Sequence, residues 1–241
     1  MLEVLYQDDH FVAVNKPSGV LVHRSKIDPR ATAIALQMVR DQVGQHVYPV
    51  HRLDKSTSGV LLFGLNKSIA QQLAGLFADR QIQKSYLAIV RGFVDQDGLI
   101  DYALKEILDR KTDKKARQDK PPQSAVTAYT KLDQVELPFA VGRYQTARYS
   151  LVQLNPKTGR KNQLRRHMKH IFHPIVGDRK FGDWRHNKFI EEQFGCRQLM
   201  LHAASLLFTH PLTEVPLVIS AQPDETFSSL VDKMGFSERF K

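Results

Sequence analysis

The tightest constraint on the fold is the run Val60-Leu61-Leu62-Phe63-Gly64-Leu65, which is short and apolar throughout. A strand with one wet face would alternate apolar and polar residues, and this one does not, so it has to be covered on both faces. Its neighbours supply cover. Ala31 to Val43 places Leu36, Val39 and Val43 at helical spacing before Gly44, and Lys67 to Arg80 does the same with Ile69, Leu73, Leu76 and Phe77. Upstream, Leu2–Tyr6 and Phe11–Asn15 are β-rich runs around the turn signal Gln7-Asp8-Asp9-His10 and predict a hairpin, closed off by Lys16-Pro17-Ser18-Gly19. Further strands are predicted at Tyr86–Val90, Val126–Tyr129, Arg148–Leu154 and Leu199–Phe208, with helices at Leu164–Ile171 and Phe227–Met234. Strands outnumber helices, so the expected class is α+β with a mixed sheet. The length of 241 residues suits one bilobed body.

Composition narrows the class of protein. With 42% hydrophobic and 25% charged residues and a mean hydropathy of −0.36, the chain can bury a sizeable core, which excludes disorder, collagen and coiled coil. No apolar run approaches the roughly 18–20 residues that span a bilayer, and Met1-Leu2-Glu3-Val4 lacks a signal-peptide pattern, so a cytoplasmic protein without membrane contact is expected. The lone Cys196 excludes internal disulfides and Cys-based zinc clusters. No Gly-rich phosphate loop is visible, which removes support for a nucleotide cofactor.

The net charge of +10 suits a polyanionic partner, nucleic acid first, although a basic enzyme without such a partner has the same composition. The charge is concentrated. From Asn155 to His170 there are six basic residues, Lys157, Arg160, Lys161, Arg165, Arg166 and Lys169, and no acid. A second segment, Lys105 to Gln123, holds seven basic and four acidic residues and few large apolar ones. It reads as a solvated excursion, either a loop without function or a basic arm that orders on RNA.

The densest candidate for chemistry is His51-Arg52-Leu53-Asp54-Lys55-Ser56-Thr57-Ser58-Gly59, a carboxylate among bases just before the buried strand. Read from the residues alone, Asp54 is either a nucleophile or base kept ionised by its neighbours or a turn cap beside Ser56 and Thr57. This stretch resembles the signature of the RluA family of pseudouridine synthases. Three further motifs follow in the family's order: Lys16-Pro17-Ser18-Gly19 with His23, the tyrosine motif Lys84 to Gly92, and Gly159-Arg160-Lys161-Asn162-Gln163-Leu164-Arg165-Arg166-His167 with His173-Pro174-Ile175-Val176-Gly177-Asp178. Leu201-His202-Ala203 is similar to the family's late strand. The runs at 39–46 and 156–160 are closest to a tRNA-modifying branch.

The resemblance implies the pseudouridine synthase fold: a mixed, mostly antiparallel central sheet flanked by helices and loops, with an RNA-binding cleft and no separate S4-type domain. It implies an isomerase that acts on tRNA, with uridine 65 at the base of the T-stem as target, and that works as a monomer without metal or nucleotide. Asp54 would be the essential carboxylate, acting either by covalent addition to the sugar or by removing a ribose proton. Tyr86 would stack on the target base and help take the proton from C5, and Arg165 would pair with Asp54. Arg52 would support the flipped nucleotide or fill the gap it leaves. Lys157, Arg160, Lys161, Arg166 and Lys169 are the expected RNA contacts. Asn162 stands where the family usually has His, a departure expected to touch RNA contact or loop packing and not the catalytic group.

Rival readings are an RNA-binding or RNA-folding factor with a structural Asp54, action on ribosomal RNA, a metal site at His167, His170 and His173, and a serine hydrolase built on His51 with Ser56 or Ser58. The metal reading lacks an acidic or Cys partner nearby in sequence before Asp178, and the hydrolase reading lacks a Gly-x-Ser-x-Gly elbow.

Overall fold

The computed structural model of the chain describes residues 1–24, 28–108 and 119–237. In chain order the elements are β1 (Glu3–Gln7), β2 (Phe11–Lys16), α1 (Ala35–Val43), β3 (Tyr48–Pro49), β4 (Ser58–Gly64), α2 (Lys67–Ala78), β5 (Gln83–Arg91) and β6 (Gly98–Asp101). They continue with β7 (Val126–Leu137), β8 (Ala147–Pro156), α3 (Gln163–His170), α4 (Trp184–Phe194), β9 (Leu201–Thr209), β10 (Pro216–Ser220) and α5 (Glu225–Met234). All ten strands join one sheet in the order β1-β2-β4-β9-β5-β8-β7-β6, with β3 beside β4 and β10 beside β9. Every pairing is antiparallel except β4 with β9. The α+β class and the mostly antiparallel mixed sheet read from the sequence are therefore present.

The all-apolar run does what its composition demands. Val60 and Leu62 of β4 point into one core with Ile69, Ala70 and Leu73 of α2, while Leu61 and Phe63 point into another with Ala35 and Val39 of α1. Each helix thus covers one face of the same strand. The third core lies in the other half of the sheet, where Leu151, Val152 and Leu154 of β8 pack with Leu164 and Met168 of α3, Ile190 of α4, and Phe227 and Leu230 of α5.

Several boundaries differ from the sequence expectation. The helix expected from Ala31 starts at Ala35, because the preceding residues pair along Leu21, whose carbonyl accepts from Ala35 N–H at 2.7 Å. α2 ends at Ala78 rather than Arg80, and β7 runs on to Leu137 through polar residues. β3, β6, β10 and α4 carried too weak a pattern to be read. The 105–123 excursion is closed at its base by a Leu104–Gln123 bridge, and its centre, residues 109–118, lies outside the described residues. Among the described residues no helix is long and apolar enough to cross a membrane.

One junction positions the chemistry. β9 pairs with β4 only at Ser58–His202 and Gly59–Ala203, and then hands the same edge to β10. At this crossing Gly59 has φ +110°, and a Cβ there would sit 2.2 Å from the Ala203 carbonyl oxygen, so only glycine lets the strands meet. The segment carrying Asp54 enters the sheet at that point.

Candidate active site

Asp54 sits in the connection between β3 and β4, in a turn closed by Thr57 N–H donating to Asp54 O at 3.0 Å. The backbone closes the turn, so the carboxylate is not spent as its cap. A second loop backs it. Gly19 N–H donates to Lys55 O at 2.8 Å, the Ser18 hydroxyl donates to Ser56 O at 2.9 Å, and the buried Lys16 ammonium donates to the carbonyls of Pro17, Val20 and Lys55. The Lys-Pro-Ser-Gly element is therefore the floor of the Asp54 loop. Burial pulls the Lys16 pKa down to about 7 against the opposing pull of Asp54.

Arg165, in the first turn of α3, links two carboxylates. Its Nε and Nη2 donate to Asp178 at 2.6 and 2.7 Å, while Nη1 reaches Asp54 Oδ2 at 3.1 Å. Asp178 has a side chain that is 0% exposed. Burial works to raise its pKa, but the Arg165 guanidinium and the N–H groups of Phe181 and Lys180 hold it below the usual carboxylate value. The guanidinium also lies 5.2 Å from the centre of the Phe181 ring. The Asp178 turn needs Gly177, with φ +77°, where a Cβ would lie 1.8 Å from the Gln198 carbonyl oxygen. In the sequence Asp178 ends a motif that assigns it no role, and only the fold brings it under Arg165.

Asn162 departs from the sequence expectation. The sequence points it to RNA contact or loop packing, yet its Nδ2 donates to Asp54 Oδ2 at 2.5 Å. The signal was present as an unusual residue in the motif, but its direction could not be read without the left-handed φ of +56° that starts α3.

Asp54, Asn162 and Arg165 line a cavity of about 610 Å³ together with His51, Arg52, Arg80, Lys84, Tyr86, Arg160 and Lys161. Among the described residues lining it, Asp54 is the one acid, facing Arg52, Arg80, Lys84, Arg160, Lys161 and Arg165. Tyr86 projects from β5, and burial together with Asp54 pushes its pKa up to about 12, so its phenol is protonated at neutral pH. His51 accepts from Leu62 N–H through Nε2 at 3.1 Å and stacks on Phe77 at 4.5 Å. Burial, with Lys84 nearby, pulls its pKa to about 3. The ring is neutral, with its proton on Nδ1.

The expected RNA-binding residues divide. Arg52, Arg160 and Lys161 line the cavity, whereas Lys157, Arg166 and Lys169 do not. Lys157 and Lys169 are exposed, and Arg166 is half-buried. Lys161 also donates to Ile107 O at 3.0 Å, which brings the start of the 105–123 excursion beside the cleft. The hydrolase reading loses its geometry, since Ser58 is buried and bonded to His202 at 2.9 Å rather than to His51. His167 bonds to Thr127 and to Tyr102 O, His170 stacks on Tyr102, and His173 bonds to Arg91 O. Among the described residues no group of three His, Cys, Asp or Glu side chains is placed to hold a metal ion.

The sheet topology agrees with the comparison with known proteins. The family model for RNA pseudouridylate synthase matches residues 10–170. The chain belongs to that family. Among curated relatives it is 53% identical to the tRNA pseudouridine synthase C of Vibrio cholerae, over 99% of this chain and 98% of that one. It is 55% identical to the protein of the same name from Yersinia pestis, over 98% and 92%. Of solved structures, human RNA Pseudouridylate Synthase Domain Containing 4 aligns at a TM-score of 0.73 and 27% identity, covering 99% of this chain and 95% of that one.

Proposed function

We propose that this enzyme converts a uridine of tRNA to pseudouridine, with Asp54 as the essential carboxylate. The observation that carries the reading is the placement of Asp54 as the one acid among the described lining residues of a cationic cavity that Tyr86 also lines. A protein that only bound RNA would have no use for a carboxylate facing a polyanion.

The reaction breaks the bond from ribose C1′ to N1, turns the uracil, and joins C1′ to C5; the C5 proton leaves and N1 gains one. Asp54 would either add to C1′ or take a ribose proton. Arg165 orients the carboxylate through a direct pair, itself fixed by Asp178. Tyr86 stacks on the uracil. With a pKa near 12 its phenol is suited to stacking and to donating a hydrogen bond, and taking the C5 proton would require its anion. Arg52, Arg160 and Lys161 meet the phosphates or fill the space of the extruded base.

The target we propose is uridine 65 at the base of the T-stem, from the likeness to relatives named tRNA pseudouridine synthase C. A base paired inside an A-form helix cannot be read through the deep groove, so shape and phosphates select the site before the base is extruded. The test is to map pseudouridine in RNA from cells lacking the gene. Position 65 of tRNA should be unmodified, restored by the wild-type gene and not by Asp54→Asn. Loss of a ribosomal site with tRNA position 65 intact would overturn the tRNA assignment, and restoration by Asp54→Asn would overturn the role of the carboxylate.

A further inference from the structure

Asn162 breaks two local rules at once. Its φ of +56° lies in the left-handed region, which asparagine adopts more readily than most residues but less readily than glycine. It also occupies the N-cap of α3, yet its side chain makes no bond to the helix's own N–H groups. An N-cap asparagine ordinarily accepts from such an N–H. A left-handed backbone and a forgone cap together mark a position shaped by something other than stability.

What the side chain does instead is donate to Asp54 Oδ2 at 2.5 Å, the same oxygen that takes Arg165 Nη1 at 3.1 Å. A carboxylate oxygen has two lone pairs in its plane, and two donors fill them. Among the described residues no hydrogen bond reaches Oδ1. The last torsion of an aspartate is broad and two-fold, so one donor leaves the group free to swing. Two donors from the start of one helix pin it.

We infer that Asn162 is a positioning residue for the isomerisation: with Arg165 it saturates Oδ2 of Asp54 and thereby presents Oδ1 to the ribose of the bound uridine. This rests on the reading of Asp54 as the reactive carboxylate. It is distinct from the role of Arg165, because the asparagine amide adds a direction and no charge, and so holds the carboxylate without neutralising it.

The informative variant is Asn162→Gly. Glycine accepts the left-handed backbone without strain, so the start of α3 is kept and only the amide is removed. Single-turnover kinetics on unmodified tRNA transcript at saturating enzyme should show the rate constant of conversion reduced by about ten- to hundredfold. Affinity for the transcript should stay within about threefold, since it comes mainly from phosphate contacts. The melting temperature should not fall. Asn162→His, which can donate from its ring and tolerates the left-handed region, should recover part of the lost rate. A wild-type rate in Asn162→Gly would overturn the inference, as would a loss shared equally between rate and affinity. Asp54→Asn, run alongside, separates the two readings: turnover in that variant would overturn the assignment of Asp54 itself.

Discussion

At the scale of single residues, the site is a chain of charges in which the innermost link is the most protected. Asp178 is fully enclosed, Arg165 nearly so, and Asp54 open to the cleft, with side-chain exposures of 0%, 12% and 28%. Asp178 therefore acts as the anchor that spends two of the guanidinium's arms and leaves the third for Asp54. Removing a charge from a buried pair leaves the other uncompensated, so Asp178→Asn should destabilise the fold by about 3–5 kcal/mol and reduce turnover by loosening Arg165. The pH dependence has a definite sign. Burial alone would raise the Asp178 pKa, but its hydrogen bonds hold it below the unfolded value, so its stabilisation is full above about pH 4 and lost as pH falls further. Urea unfolding at a series of pH values should show the wild type losing stability below about pH 4 more steeply than Asp178→Asn. Parallel curves would mean that the pair contributes nothing on folding.

At the scale of elements, the legible features were those with a local cause. β4 could be read because being buried on both faces abolishes alternation, and α3 because Leu164 and Met168 recur at helical spacing beneath a basic face. The second half of β7 could not: Lys131, Asp133, Gln134 and Glu136 dominate it, and its pairing with β8 shifts register between Lys131 and Asp133. β10 is a strand because β9 offers it an edge, which no local pattern announces. The same division holds in the site. Asp54 and Arg165 stand in motifs, but that Asp178 and Asn162 meet them depends on a turn under Gln198 and a left-handed residue. Gly59 shows how far an element-level constraint reaches. With Ala203 O 2.2 Å from any Cβ, Gly59→Ala must push β4 and β9 apart where they pair in parallel. The backbone cannot yield cheaply there, so the variant should be destabilised by more than about 3 kcal/mol, or fold with the Asp54 loop displaced and activity lost. Circular-dichroism melts and the tRNA assay together distinguish these outcomes, and a stable, active variant would show that the crossing tolerates a side chain.

At the scale of the whole molecule, the surplus of positive charge is the property that composition shows most directly and the fold then distributes. Some of it converges on the cavity through Arg52, Arg160 and Lys161, where, on the function proposed above, it would meet the RNA strand that carries the reacting nucleotide. Lys157 and Lys169 stand outside the cavity, exposed near the two ends of the segment that begins with the end of β8 and runs through α3. Such a spread suits a substrate larger than the cleft, because extruding a paired base costs a few kcal/mol that contacts elsewhere have to supply. Each phosphate neutralised on a duplex releases counterions and adds about 0.9 to the slope of log affinity against log salt. Replacing Lys157, Lys161 and Lys169 together by Ala should weaken tRNA binding and flatten that slope by up to about 2.7, three contacts at 0.9 each. Lys161 is already bonded to Ile107 O, so its single replacement should change the slope least if that bond persists in the complex. Filter binding across a range of potassium concentrations measures this directly. An unchanged slope in the triple variant would mean that these three lysines, two before α3 and one on it, turn away from the RNA and that affinity resides in the cleft arginines.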